Sequence, residues 1–390
     1  MTSRFSNPSR RCALVGMAGV LLAACAEAPK VSSAKPAEIP AFPPPPEAAR
    51  VYWERSIRSS ADVVADDKDG TLRRMVTGEG RTGQALDKPY GIAARNGKVY
   101  VGDTVARNVA VYDLNAKTFT RIGADDPGSL RMPFGLDLDD RGNLYVVDGT
   151  LKRVHVYDAS GKFVRAIGQD MQWSRPVGVA IDNARKRLYV VDAGGVDKPD
   201  HKVRVLDLDS GKLLFEIGRR GDGPGEFNLP RDVAVGAGGQ LYVVDGGNFR
   251  VQVFDVDGKF VRTFGAIGRQ SGQFSRPKEI ASDAVGNLYV VDTAFGNFQI
   301  FNPAGQLLLD VGSRGASDGP AKFMLPSGIA VDSDGRIYMA DQFFRKVEVF
   351  RPADLPASAR YGQPAATAAV TPALVPTPGQ PAAAAPLTAR

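Results

Sequence analysis

Cysteine and histidine are almost absent from this 390-residue chain, which contains two of each. Cys12 sits in an apolar N-terminal stretch and Cys25 follows it closely. The rest of the chain therefore offers no thiol nucleophile, no disulfide and no thiolate metal site. His155 and His201 are too few and too far apart in sequence for the multi-imidazole sets that hold catalytic zinc. The apolar stretch at residues 12–22 is well short of the ~20 residues that span a bilayer. No segment beyond it shows an apolar period of 3.6, so amphipathic helices are not expected. Charge is modest as well. The formal net charge of +6 includes Arg4, Arg10 and Arg11, leaving no basic surplus of the kind that binds nucleic acid.

What the chain does have is repetition. Val-Tyr-Val-Gly-Asp ends at Asp103, Leu-Tyr-Val-Val-Asp ends at Asp148, Asp192, Asp245 and Asp292, and Ile-Tyr-Met-Ala-Asp ends at Asp341. Intervals of roughly 44 to 53 residues are those of one supersecondary unit per repeat. The clearest unit begins at Pro230 with Val233-Ala-Val235 and turns at Gly238-Gly239. It continues through Leu241-Tyr-Val-Val244 and Val251-Gln-Val-Phe254, turns at Asp257-Gly258, and ends with Phe260–Phe264. Four short β-branched or aromatic runs between Asp, Gly and Asn signal strands joined by tight turns.

The third strands share a bulky slot (Tyr112, Tyr157, Leu206, Phe254, Phe301, Phe350) and a variable one (Ala110, His155, Arg204, Gln252, Gln299, Glu348). Three residues before each opening proline stands Leu86, Leu130, Trp173, Phe227, Phe274 or Phe323, an apolar plug expected to wedge between successive sheets. The pattern predicts an all-β, six-bladed β-propeller of four-stranded antiparallel blades. The last repeat lacks its fourth strand, and a spare strand at 50–57 is expected to complete it and leave no open edge.

The phrases Pro-x-Gly-Ile/Val-Ala, x-Gly-Asn-Leu-Tyr-Val-Val-Asp and Asn-Phe-Arg-Val-Gln-Val-Phe-Asp resemble the NHL-repeat family, as does the connector Gly221-Asp-Gly-Pro-Gly-Glu-Phe227. The resemblance covers about 50–351. It implies the propeller fold and leaves activity open, because such propellers bind peptides, RNA or proteins and have lyase and lactonase relatives. The lyases on this fold hold zinc through several channel histidines, a set this chain lacks.

The N-terminus reads as a lipoprotein leader at 1–24, with Leu22-Ala-Ala-Cys25 as its cleavage and lipidation motif. Acylated Cys25 would be a membrane anchor, and Ala26 after it resembles outer-membrane sorting. Residues 25–49, rich in Pro and Ala, read as a spacer, and 352–390 as a disordered tail. The stretch 62–88 is ambiguous, with Thr71–Val76 either a short helix or an irregular strand.

Candidate chemistry is sparse. Asp67, Asp69 and Gly70 match part of a calcium loop, but Ala65 and Val76 stand where carboxylates are needed. His155 reads as a blade-surface residue. His201 lies in a long loop beside Asp197 and Asp200, weak grounds for a metal site. The six repeated aspartates read as structural brackets, to loop amides or to Arg107, Arg153, Arg250 and Arg345.

Departures from the repeat are more informative. After the opening proline, Tyr90-Gly91, Phe134-Gly135, Val177-Gly178 and Ser327-Gly328 give way to Arg231-Asp232 and Lys278-Glu279. These residues begin the innermost strands, at the mouth of the central channel. With Arg219, Arg220, Arg250 and Arg269 they form a candidate basic funnel for an anionic ligand or a carboxylate-bearing peptide. The alternative is that Arg231 pairs with Glu279 and Asp232 with Lys278, purely for packing. The expectation is a non-enzymatic, cofactor-free propeller in the bacterial envelope, facing the periplasm from the outer membrane, with a protein or peptide partner and no nucleic acid. A metal-dependent lactonase- or lyase-type enzyme is the alternative.

Overall fold

Turn chemistry sets the length of every strand. In the repeat at 230–264, Gly239 and Gly258 adopt φ of 80° and 79°. Their N–H groups close back onto the carbonyls of Gly236 and Asp255 at 2.8 and 3.0 Å. The turns separate Pro230–Val235, Leu241–Asp245, Arg250–Phe254 and Phe260–Phe264, which pair in that order as an antiparallel meander. A left-handed φ at these corners is what glycine supplies without strain.

The structure, a computed structural model, describes residues 39–65, 76–77 and 81–363. Within it, six such sheets open at Pro89, Pro133, Pro176, Pro230, Pro277 and Pro326, here blades one to six. Each blade's first strand packs against the first strand of the next, and the sixth against the first. The chain is thus a six-bladed β-propeller with its first strands around a central channel. The leader, Cys25, the acidic turn at 66–70, the segment at 71–75 and the tail at 364–390 lie outside the described residues. No helix among those described is long and apolar enough to cross a membrane.

Val51–Ile57 pairs antiparallel with Lys346–Pro352, Val51 opposite Pro352 and Ile57 opposite Val347. The spare N-terminal strand therefore closes the ring as the fourth strand of blade six. Apolar residues gather in six clusters, one at each junction between blades. Leu86, Leu130, Trp173, Phe227, Phe274 and Phe323 are all buried, each between two sheets, as the plug reading requires.

The folded body extends past both boundaries read from sequence. Ala41–Phe42, in the expected spacer, adds a fifth strand to blade six. Phe42 packs edge-on against Phe350, with ring centroids 6.1 Å apart. At the other end, 352–363 is packed rather than disordered. The Tyr361 hydroxyl donates to Glu54 Oε1 at 2.6 Å and the Gly362 N–H to Asp334 Oδ2 at 2.7 Å. The reason is the buried guanidinium of Arg336, which pairs with Glu54 at 2.8 Å and with Asp334 and lies 4.2 Å from the Tyr361 ring. An interior charge needs such partners, and residues beyond 352 supply part of the set.

Candidate functional site

The face around the channel mouth is organised by the six repeated aspartates, all buried. Each accepts N–H groups from the connector entering its blade, which fixes the residues just before the opening proline. Asp103 holds Lys88 N at 3.0 Å, Asp192 holds Arg175 N at 2.7 Å, and Asp292 holds Arg276 N at 3.0 Å. The bracket is thus to backbone in every blade. Arg250 joins it at Asp245, at 3.0 Å, whereas Arg107 and Arg345 are exposed and Arg153 Nε donates to His155 Nε2 at 2.8 Å.

Inside the ring the first strands crowd together. A Cβ at Gly91 would lie 2.0 Å from the Phe134 carbonyl oxygen, and one at Gly328 would lie 2.4 Å from that of Tyr90. Close approach of backbones thus accounts for glycine in four blades. Blades four and five place Asp232 and Glu279 in this slot, and their carboxylates reach onward to the next blade. Asp232 Oδ2 accepts the N–H of Ile280 at 3.0 Å, and Glu279 accepts that of Ile329.

A third channel acid was missed in the sequence. Asp137 accepts the N–H groups of Leu138 and Ile181 at 2.7 and 2.8 Å. Its slot holds Ala93, Ala180, Ala234, Ala281 and Ala330 in the other blades, so the repeat register contained the signal. Burial raises all three carboxyls above the ordinary range, Asp137 to about 6, Asp232 to about 8 and Glu279 well upward. Desolvation of the charged form leads in each, opposed by the backbone N–H bonds.

Arg231 and Lys278 stand at the mouth above these acids. Neither sequence-based cross-pair forms: no ion pair among the described residues joins Arg231 to Glu279 or Asp232 to Lys278. The Lys278 ammonium instead lies 4.1 Å above the Tyr90 ring. Tyr90 in turn packs against Phe134 at 4.8 Å. Burial pulls Lys278 down to about 8, with the Glu279 carboxylate opposing and the Arg231 charge assisting. Arg231 is lowered by desolvation and by repulsion from Arg175 and Arg276. The last two, with Lys88, occupy the residue before the opening proline, a slot the sequence reading passed over.

The remaining candidates lie elsewhere. Arg219 is exposed and pairs with Glu226 at 2.7 Å. Arg220 bridges through its backbone to Phe227, and Arg269 is exposed. Arg250 is corrected to a structural role: Nε is spent on Asp245 and Nη2 on the carbonyls of Gly223 and Glu226. His155 is also corrected, being buried against Tyr157 and Phe163, with its pKa lowered mainly by desolvation. The variable slot of strand three faces a connector, as Gln252 and Gln299 show by accepting Gly225 and Gly272 N–H. His201 is buried with both ring nitrogens at backbone groups, Nε2 3.0 Å from Gly195 O and Nδ1 3.2 Å from Leu229 N. Among the described residues no three His, Cys, Asp or Glu side chains are arranged to hold a metal.

Sheet order, closure and mouth define a repeat-built propeller with a polar channel and a basic rim. Its repeat is the NHL repeat, a family that matches residues 227–254; the chain is an NHL-repeat β-propeller. It is similar to mouse NHL repeat-containing protein 3, at 34% identity over 89 residues, 22% of this chain and 24% of that protein. The chain thus spans about a quarter of the length of the curated relatives it matches. Among solved structures it resembles a gluconolactonase from Xanthomonas campestris, with TM-score 0.52, 17% identity and coverage of 68% of this chain and 86% of that one. It also resembles virginiamycin B lyase from Staphylococcus aureus, with TM-score 0.50, 14% identity and coverage of 76% and 98%. Both likenesses concern the fold.

Proposed function

We propose that this protein is a non-enzymatic binding module of the bacterial envelope that captures an anionic group of a protein or peptide partner at the channel mouth. The observation that carries this reading is the half-basic, half-aromatic rim. Arg231, Lys278, Arg276 and Arg175 form no ion pair, while Tyr90 and Phe134 line the other side. Uncompensated cations beside apolar rings suit a carboxylate carried on an apolar body, as at a peptide C-terminus. Val105, Val196, Ile267 and Phe343, all exposed in loops of this face, widen the surface for a partner.

The leader motif Leu22-Ala-Ala-Cys25 supports a lipid anchor at Cys25, in the outer membrane and facing the periplasm. Cys25→Ala is then expected to release the protein from membranes, and persistent membrane association would count against the anchor. The binding reading is tested by crosslinking capture with wild type and with Arg231→Glu/Lys278→Glu, checked for folding by circular dichroism. Loss of a specific partner supports it, and unchanged capture overturns it. The enzymatic alternative, a metal-dependent lactonase or lyase, predicts a stoichiometric divalent ion in the purified protein, and finding one would displace the binding reading.

A further inference from the structure

The outer rim of the ring repeats a feature of its own. In blades two to five the fourth strand carries a β-bulge, at Val164, Leu214, Val261 and Leu308. A bulge on an outer strand spoils the edge for further pairing and turns one side chain out. For that protection alone a charged residue would serve best. All four are instead apolar.

Their surroundings differ. Leu308 is 1% exposed, against 55% for Val164, 49% for Leu214 and 53% for Val261. The cover over Leu308 is the chain's own N-terminal segment. Ala41–Phe42 lies against the outer strand of blade five, and Phe42 packs on the apolar cluster that contains Leu308. The Arg50 guanidinium donates to the Leu308 carbonyl at 3.2 Å. Pro40 and Pro43 flank this pair and favour an extended backbone. The cleft between blades six and one is filled in a related manner. There Tyr361, which follows Pro352 and Pro356, packs on the apolar cluster shared by those blades. Its carbonyl accepts from Asn115 Nδ2 at 2.9 Å.

Two rim clefts thus hold a proline-bearing segment anchored by one aromatic ring. The clefts that follow blades two, three and four come from the same repeat, and each presents a bare apolar knob. Leu213, 44% exposed, enlarges the knob on blade three. Beside two of these knobs the strand is already braced against the following blade. Arg165 donates to the Leu208 carbonyl at 2.6 Å and Arg262 to that of Pro303. A flat surface such as a membrane meets only part of a convex rim, whereas an extended chain follows it.

We propose that the rim clefts of blades two to four dock an extended, proline-rich segment of another protein through an aromatic anchor. The filled cleft beside blade five specifies that chemistry, since there the same bulge residue is covered by such a chain. The rim uses none of the residues at the channel mouth, so the two sites stand or fall separately.

The probe is a labelled peptide with the sequence Ile39-Pro-Ala-Phe-Pro-Pro-Pro-Pro-Glu47. It is titrated with the full-length protein and read by fluorescence anisotropy. A Kd below about 1 mM is expected, with the Phe42→Ala peptide at least about fivefold weaker. Val164→Lys/Leu214→Lys/Val261→Lys alters exposed positions, so the fold is expected to survive. Its affinity for the peptide is expected to fall by about fivefold or more. Arg231→Glu/Lys278→Glu is expected to bind the peptide within about twofold of wild type. Absence of binding overturns the proposal. So does wild-type affinity in the triple variant, which would place the peptide in the cleft that 39–47 already fills. Equal binding of the Phe42→Ala peptide overturns the aromatic anchor. Self-association abolished by the triple variant assigns the rim to a second copy. Peptide binding seen only after deletion of 364–390 assigns it to this chain's own tail. Either result overturns a partner in trans.

Discussion

The ammonium of Lys278 lies 4.1 Å above the ring of Tyr90, so blade five touches blade one across the small Ser327 of blade six. The contact accommodates a partly desolvated cation, because the ring face supplies some of the stabilisation that water would give. It also sets the mouth's response to pH. Lys278 is pulled down to about 8, so its positive charge is present below that value and lost above it. Asp232, raised to about 8, gains negative charge over the same range. Both changes oppose anion capture, so affinity at the mouth is expected to fall by roughly threefold or more between pH 7 and pH 9. Binding titrations across that range test this, and Lys278→Arg, which stays charged, is expected to flatten the profile.

Asp232 also shapes stability. Its folded carboxyl holds its proton to about pH 8, against an ordinary value of 3.8. Between those limits the folded state binds more protons than the unfolded state, so stability falls as pH rises through the window. Asp232→Asn keeps an acceptor for the Ile280 N–H without the buried charge. It is expected to raise Tm by a few degrees at pH 8 and hardly at all near pH 4, as read by thermal melts at several pH values.

Removing a bracket should loosen both fold and site. Asp292 accepts four backbone N–H groups, from Ser275, Arg276, Ala294 and Phe295, at 2.7 to 3.1 Å. Asp292→Ala is expected to cost about 2–4 kcal/mol, several donors being left unpaired. Because Arg276 is positioned through this carboxylate, mouth affinity is expected to fall even where the variant remains folded. Urea unfolding and ligand titration separate the two effects.

The closing strap around Arg336 makes a third stability test. Arg336→Ala strands Glu54 and Asp334 in the interior and is expected to cost about 3–5 kcal/mol. Truncation after 352 removes the Tyr361 and Gly362 contacts to these same acids. The two changes share partners, so their combined cost in urea unfolding is expected to be less than the sum.

Strand order, blade number, plugs and ring closure were legible because the repeat states each one several times. The site was legible only where a departure changed residue class within a slot already aligned, as Arg231-Asp232 and Lys278-Glu279 did. Asp137 was equally visible against five alanines but lay two residues deeper, beyond the slot compared. Lys88, Arg175 and Arg276 precede the prolines, where Met132, Leu229 and Leu325 show no consensus. Their convergence needs the ring itself. His155 was misplaced because a variable slot looked like a wet one, whereas here variety reflects different ways of satisfying a connector. The outer limits were misread because Phe42 and Tyr361 are single anchors in Pro- and Ala-rich sequence, too sparse to show any period.

Closure by Val51–Ile57 against Lys346–Pro352 has a consequence for biogenesis. The strand that finishes the ring is made first and its partner last, so five blades emerge while the opening strand waits unpaired. Circularity is therefore conferred only after all six blades have left the ribosome, so the seam is the last of the blade pairings to form.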